Sequence, residues 1–333
     1  MNRVSEALRR RLVTVPALLG AWLAWIALLP LALPLLALID VARRRGGVGL
    51  RIGVFAAIFL SCEVVGIAAS AALWLWRRVV GMDEARWVDL HFRLEAWWGA
   101  TLFRSLVRIF GLLLEVEGNS GLERGPYLLL VRHASSGDTL LASALVSAPL
   151  GLRLRYVLKR ELLWDPCLDI VGNRLPNVFV DRNSDDSQLE IERVRELAGE
   201  LGPSDGLMIY PEGTRFSESK RRRVIEHLSR NGDHKMLEYA RSLDTVLPPR
   251  LGGMLAMLEA APDADVVFLS HTGFESAASL GQIWSGALVN RTIRVKFERI
   301  ARSEIPEGRD ARVAWLLEEW RKVDAWVSRW KTG

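Results

Sequence analysis

The chain has little cysteine: two residues among 333, Cys62 and Cys167. That excludes a disulfide framework and any Cys-rich zinc site. It also has no internal repeat and no low-complexity linker. A basic domain is missing too, although the net charge is +5. Of the 44 basic residues 12 lie in the first 100 positions, against 7 of the 39 acidic ones, so residues 101–333 carry 32 of each. With no basic domain behind it, the excess gives no case for nucleic-acid binding. Half of the residues are apolar and 25% are charged, which rules out wholesale disorder.

Long apolar runs are present, and both lie near the start. Residues 12–39 carry no charge, and residues 52–76 carry only Glu63. A bilayer core about 30 Å thick needs roughly 20 apolar residues in a helix, so either run is long enough to cross. Trp22, Trp25, Trp74 and Trp76 are candidate interfacial anchors. Arg3, Arg9, Arg10 and Arg11 before the first run and Arg77, Arg78, Arg86 and Arg93 after the second face Arg43, Arg44, Arg45 and Arg51 between them. If both helices cross, this balance puts the N-terminus and the larger domain in the cytoplasm. Three consecutive arginines in the connecting loop argue the other way, and Pro30 and Pro34 allow the first segment to bend into one leaflet. Residues 83–110 are amphipathic, which predicts a helix lying on the membrane or packed on the domain.

From residue 112 onward short apolar strands alternate with helical stretches. Strands are expected at 112–116, 127–131, 154–158, 177–180, 207–210, 266–270 and 292–297. Helices are expected at 139–147, 187–201, 218–229, 251–260 and 309–330. The expected fold class is therefore α/β, a mostly parallel sheet flanked by helices and preceded by two N-terminal membrane helices. The expected organisation is a membrane anchor over 1–80, an amphipathic region over 81–111 and the α/β domain over 112–333. In such sheets chemistry gathers beyond the carboxyl ends of the strands.

Directly after residues 127–131 comes Arg132-His133-Ala134-Ser135-Ser136-Gly137-Asp138. Five positions on one helix are about 500°, so His133 and Asp138 do not share a helical face. A strand-end loop can bring them together, with the carboxylate fixing the tautomer of a basic imidazole. After 207–210 comes Pro211-Glu212-Gly213-Thr214-Arg215, a turn able to hold a phosphate through backbone N–H groups and a guanidinium. Lys159, Arg182 and Arg250 also follow strand-like or extended segments.

These blocks resemble the glycerophospholipid acyltransferases that act on lysophosphatidic acid and related lysophospholipids. His133 to Asp138 looks like that family's His-x4-Asp motif, and Lys159-Arg160-Glu161-Leu162 with Phe179-Val180-Asp181-Arg182 looks like its second block. Glu212-Gly213-Thr214-Arg215 matches the third block in full, and Leu247-Pro248-Pro249-Arg250 looks like the fourth. The charged insert at 217–245 is most similar to the branch containing lysocardiolipin acyltransferases. The residue before the histidine, often Asn in the family, is Arg132 here.

The resemblance implies a membrane-bound O-acyltransferase. His133 would be the general base, oriented by Asp138. Glu212, Gly213, Thr214 and Arg215, with Lys159 and Arg182, would hold the acceptor phosphate, and Arg250 would make a further phosphate or CoA contact. No cofactor or metal is expected. The co-substrate is acyl-CoA or acyl carrier protein, the acceptor a lysophospholipid such as 1-acylglycerol-3-phosphate, and the product phosphatidic acid. Membrane lipid is an expected partner and nucleic acid is not. The expected location is the inner or plasma membrane, with the α/β domain on the cytoplasmic side. A non-catalytic lipid-binding protein on the same fold, or a lysophospholipid hydrolase, is the alternative.

Other patterns read as structural. Gly202-Pro203-Ser204-Asp205-Gly206 follows a helix and precedes a strand, the wrong order for a hydrolase elbow. Asp181, Asn183, Asp185 and Glu192 match a calcium loop, but its glycine position is Asp186. His227 and His234 lack a third ligand, and Lys220-Arg221-Arg222-Arg223 reads as a solvated face.

Overall fold

The computed structural model describes residues 3–118, 122, 125–180, 187–277 and 279–330. It begins with three long helices, α1 (Arg3–Ala42), α2 (Val48–Val80) and α3 (Glu84–Phe110). Both apolar runs fall inside α1 and α2, which are long and apolar enough to cross a membrane. Helix α1 continues unbroken through Pro16, Pro30 and Pro34. At 1.5 Å per residue its 40 residues span about 60 Å, twice a bilayer core.

The hairpin between α1 and α2 is closed by local chemistry. Gly47 takes φ of 79°, a conformation that side chains with a Cβ rarely adopt. Asp40, buried in the last turn of α1, accepts from Gly49 N at 3.0 Å and Leu50 N at 2.9 Å. Its charge therefore sits on free N–H groups at the start of α2. Trp22 and Trp25 join the helices: their Nε1 atoms donate to Ser61 Oγ at 3.1 Å and Gly53 O at 3.2 Å.

Both ends of α1 touch the α/β domain. Near its start Arg10 and Arg11 pair with the buried Asp169 at 2.5 and 2.9 Å, and Glu6 pairs with Arg160 at 3.0 Å. Beyond its end Arg45 lies 5.5 Å over the Trp284 ring, and Arg51 donates to Ile109 O. The positive loop is therefore held against the domain by partners that charge counting does not see. Glu63 is fully buried on the inner side of α2 and accepts from Trp98 Nε1 at 2.9 Å.

Helix α3 starts where Asp83 accepts from Arg86 N at 2.8 Å. Its apolar face packs on the protein, and Phe103, Leu106 and Phe110 join the core of the α/β domain. The core thus begins before residue 112, because the apolar stripe of α3 covers one face of the sheet.

The sheet has seven strands: β1 (Leu113–Glu117), β2 (Tyr127–Val131), β3 (Arg153–Lys159), β4 (Val178–Val180), β5 (Asp205–Ile209), β6 (Asp265–Thr272) and β7 (Thr292–Ile300). Their order is β1-β7-β6-β2-β5-β3-β4. Neighbours are parallel except β6 and β7, so β7 and β1 run against the other five. Central strand β2 is buried on both faces. Tyr127, Leu129 and Val131 face the core shared with α3, while Leu128 and Leu130 face the opposite core. This is strict period-2 alternation with both sides covered.

Between the strands lie a π-helical turn at Ser143–Ser147 that runs into α4 (Ala148–Leu150), α5 (Pro166–Val171), α6 (Ser187–Gly199), α7 (Glu218–Asn231), α8 (His234–Arg241), α9 (Leu251–Ala260) and α10 (Leu280–Trp284), and α11 (Arg309–Ser328) follows the last strand. The expected helix at 139–147 is a 3-10 turn at Gly137–Leu140 followed by that π turn. Its Ser143 presses on α3, where a Cβ on Gly99 would come within 2.4 Å of it. Helices α5 and α8 were not expected from the sequence; both are short and start on Asp side-chain caps.

Candidate active site

Strands β2, β5, β3 and β6 point the same way, so their carboxyl ends meet along one edge. His133 lies two residues past β2, in extended chain before the 3-10 turn at Gly137–Leu140. That turn brings Asp138 back, and His133 Nδ1 stands 3.0 Å from Asp138 Oδ1. The other carboxylate oxygen accepts from Ala134 N at 2.6 Å and Ser135 N at 2.7 Å. Asp138 is fully buried, while the His133 side chain keeps a little exposure at 12%. Tyr210, at the end of β5, stacks on the imidazole with 4.2 Å between ring centroids.

The charges of this pair follow from its surroundings. Burial alone would raise the Asp138 carboxyl, but hydrogen bonds from His133 and His271 outweigh it and hold the group far below the usual range. Burial lowers the His133 pKa more than Asp138 raises it, so the ring is neutral at pH 7. A neutral imidazole with Nδ1–H on a carboxylate presents Nε2 as a base.

The turn after β5 packs beside this pair. Phe216 N donates to His133 O at 2.8 Å, and Arg215 Nη1 donates to Ser136 Oγ at 2.9 Å. Gly213 takes φ of 69°, and a Cβ there would meet Arg250 Nε at 2.8 Å. Arg250 N in turn donates to Pro211 O at 2.8 Å. The third and fourth sequence blocks are thus one surface, with the exposed Arg215 and Arg250 on its rim.

Two expected residues stand away from this rim, Glu212 and Lys159. Glu212 is 3% exposed, and its two oxygens accept from His133 N at 2.7 Å and Leu247 N at 2.9 Å. Burial pushes its carboxyl up to about 8, against the Arg132 charge and these two bonds. Both oxygens are engaged inside the protein, so Glu212 ties β2, β5 and the 247–250 segment together rather than facing a phosphate. Lys159 ends β3 at the same edge, with β5 between its strand and β2. Arg182 lies outside the described residues, as do Asp181, Asn183 and Asp185.

Sequence reasoning missed several neighbours. Lys220, read as part of a solvated face, donates Nζ to Thr214 Oγ1 at 2.7 Å and Arg215 O at 2.9 Å. Arg132 is buried and donates to His271 O at 2.7 Å, Thr245 O at 2.9 Å and the Glu275 carboxylate. His271, fully buried near the end of β6, stands 3.4 Å from Asp138 Oδ2. The signal for His271 was its place at a strand end, one residue past the expected boundary. Among the other patterns, Ser204 precedes β5 at the opposite edge of the sheet. Among the described residues no cluster is able to hold a metal ion.

A mostly parallel α/β sheet with a His–Asp pair beside a cationic turn defines a class, and the comparisons agree with it. Residues 113–268 match the model of the Acyltransferase family. Mouse 1-acyl-sn-glycerol-3-phosphate acyltransferase epsilon is 24% identical over 224 residues, covering 64% of this chain and 60% of the relative. Zebrafish (Danio rerio) lysocardiolipin acyltransferase 1 is 21% identical over 263 residues, covering 73% of this chain and 62% of the relative. The match spans about three fifths of the length of these curated relatives. The crystal structure of the 1-acyl-sn-glycerophosphate acyltransferase PlsC from Thermotoga maritima superposes with a TM-score of 0.51 at 14% identity, covering 81% of this chain and 99% of that one. That likeness is one of fold.

Proposed function

We propose that this chain is a membrane-bound O-acyltransferase that moves a fatty acyl group from a thioester to the hydroxyl of a lysophospholipid. The acceptor we infer is 1-acylglycerol-3-phosphate, giving phosphatidic acid. The donor is acyl-CoA or acyl carrier protein. The observation that carries this reading is the 3.0 Å contact between a neutral His133 and a buried, ionised Asp138, beside a rim bearing Arg215, Lys220 and Arg250.

His133 Nε2 takes the proton of the acceptor hydroxyl as its oxygen attacks the thioester carbonyl. Asp138 holds the ring in the Nδ1–H tautomer and stabilises the imidazolium that forms. Collapse of the tetrahedral intermediate breaks the C–S bond, and the imidazolium returns the proton to the leaving thiolate. Direct transfer needs no acyl-enzyme. The cationic rim holds the acceptor phosphate and sets the hydroxyl against His133.

The apolar faces of α1 and α2 supply the membrane contact. Leu12, Leu23, Leu31, Leu35, Leu38 and Val41 are exposed along α1. Because both ends of α1 touch the α/β domain, the hairpin enters lipid from the domain's own side, which we place in the cytoplasm.

The test is mass spectrometry of products from purified protein in vesicles, offered lysophosphatidate or lysocardiolipin with acyl-CoA or acyl carrier protein. A diacyl product from the wild type, absent from His133→Ala, supports transfer and names both substrates. Free fatty acid alone would identify a hydrolase. Bound lipid with no product from any pair would leave a lipid-binding protein.

A further inference from the structure

The carboxylate that orients His133 has a second imidazole on its far side. His271 Nε2 lies 2.8 Å from Arg132 O and 3.4 Å from Asp138 Oδ2. A carbonyl only accepts, so Nε2 carries the proton and donates. Its Nδ1 is buried and has no hydrogen-bond partner among the described residues, so Nε2 is the ring's polar anchor. The ring is fully buried, with Phe274 edge-on at 5.9 Å between centroids.

We propose that His271 is a positioning residue for the His133–Asp138 pair, clamping the carbonyl that precedes His133 and the far oxygen of Asp138. The inference rests on the acyl-transfer reading above. The two contacts fall on the two ends of one loop: Arg132 O fixes where the chain leaves β2, and Asp138 fixes where it returns. Arg132 locks the clamp from outside, since its guanidinium donates to the carbonyl of His271 itself and to Thr245 O. The same two residues are thus joined twice, backbone to side chain in both directions.

His271 also bears on proton affinity. A donor on Asp138 Oδ2 draws charge from the oxygen that faces His133, so the carboxylate supports the imidazolium less. The other titratable and charged groups around the pair are Arg132, Glu275, Arg215 and Glu212, whose carboxyl burial pushes up to about 8. Glu275 bonds Arg132, and Glu212 bonds the His133 backbone. None of these four donates to the Asp138 carboxylate, so losing His271 leaves that oxygen stronger toward His133.

The experiment measures kcat and KM against pH for wild type, His271→Leu and His271→Gln in vesicles. Leu fills the space without a donor, and Gln places an amide N–H near the position of Nε2. With His271→Leu, kcat falls roughly tenfold or more at unchanged acceptor KM, the usual range for a group that acts through another. The acid limb of kcat/KM moves up by about half a unit, and His271→Gln restores both. A Leu variant equal to wild type overturns the proposal. So does a Leu variant with reduced kcat but an unmoved limb, which is the mark of a merely structural role. If the Leu variant does not fold, the Gln variant decides: wild-type kcat and limb support the clamp, and loss of kcat with an unmoved limb overturns it. A silent wild type sinks the acyl-transfer reading and this inference with it, whereas an active wild type with an indifferent Leu variant sinks only the inference.

Discussion

Lys220, six residues beyond Thr214, donates its ammonium to the Thr214 hydroxyl at 2.7 Å. Ser217 makes the return possible: its hydroxyl accepts from Lys220 N and starts α7 at that point. The first residue of the basic run Lys220–Arg223 is thereby turned toward the cationic rim. Arg221 is held as well, donating to Leu243 O at 2.6 Å.

Lys220 should therefore matter for the acceptor rather than for the chemical step. A charge-assisted hydrogen bond is worth about 1.5–3 kcal/mol, so Lys220→Ala should raise the acceptor KM by roughly tenfold or more. The change in kcat should stay several-fold smaller. Steady-state kinetics on a phosphate-bearing lysolipid check this, and a kcat loss at constant KM contradicts it.

The pH profile follows from the direction of the His133 shift. Burial favours the neutral ring, so the base stays deprotonated to below its ordinary value near 6.5. The acid limb of kcat/KM is then expected below that value. Asp138→Asn removes the carboxylate and the tautomer control together, and kcat is expected to drop by about 10²–10⁴. A limb above 7 in the wild type, or a mild Asn variant, counts against His133 as base.

Gly213 offers a test on backbone geometry. Its φ of 69° disfavours any side chain with a Cβ, and Arg250 Nε stands 2.8 Å from where that atom would sit. Gly213→Ala should destabilise the fold by about 1–2 kcal/mol. It should also displace Arg250 and weaken acceptor binding. Thermal unfolding and KM read the two effects separately. Unchanged values in both would mean that the third and fourth blocks do not pack as described.

The sheet was legible because its strands are short, apolar and separated by helical stretches; each expected strand overlaps an observed one within two or three residues. His133, Asp138 and Arg215 were legible because they lie close to strand ends. Lys220, Arg132 and His271 were not, since each acts across the chain: His271 reaches the carbonyl of Arg132, 139 positions away. Glu212 sits inside a motif that suggests phosphate contact, and only burial reveals that both its oxygens serve backbone N–H groups. The arginine count around α1 and α2 gave an orientation only if both helices cross, with the three loop arginines arguing against crossing; it could not see the difference made by Asp169, Ile109 and Trp284, which bind Arg11, Arg51 and Arg45.

That last difference makes a sharp prediction about the membrane. A hairpin that crosses the bilayer twice would carry its loop to the face opposite the α/β domain. Here Arg10 and Arg11 hold one end of α1 to Asp169, and Val48 packs against Gly286 just beyond the other end. Arg43 in the loop and Glu218 at the start of α7 are both exposed. Arg43→Cys and Glu218→Cys should therefore be modified by an impermeant maleimide from the same side of sealed vesicles. Cys62 and Cys167 are buried, so the background should be low. Modification of the two engineered positions from opposite sides would show that the hairpin crosses and that the loop does not rest on the domain in lipid.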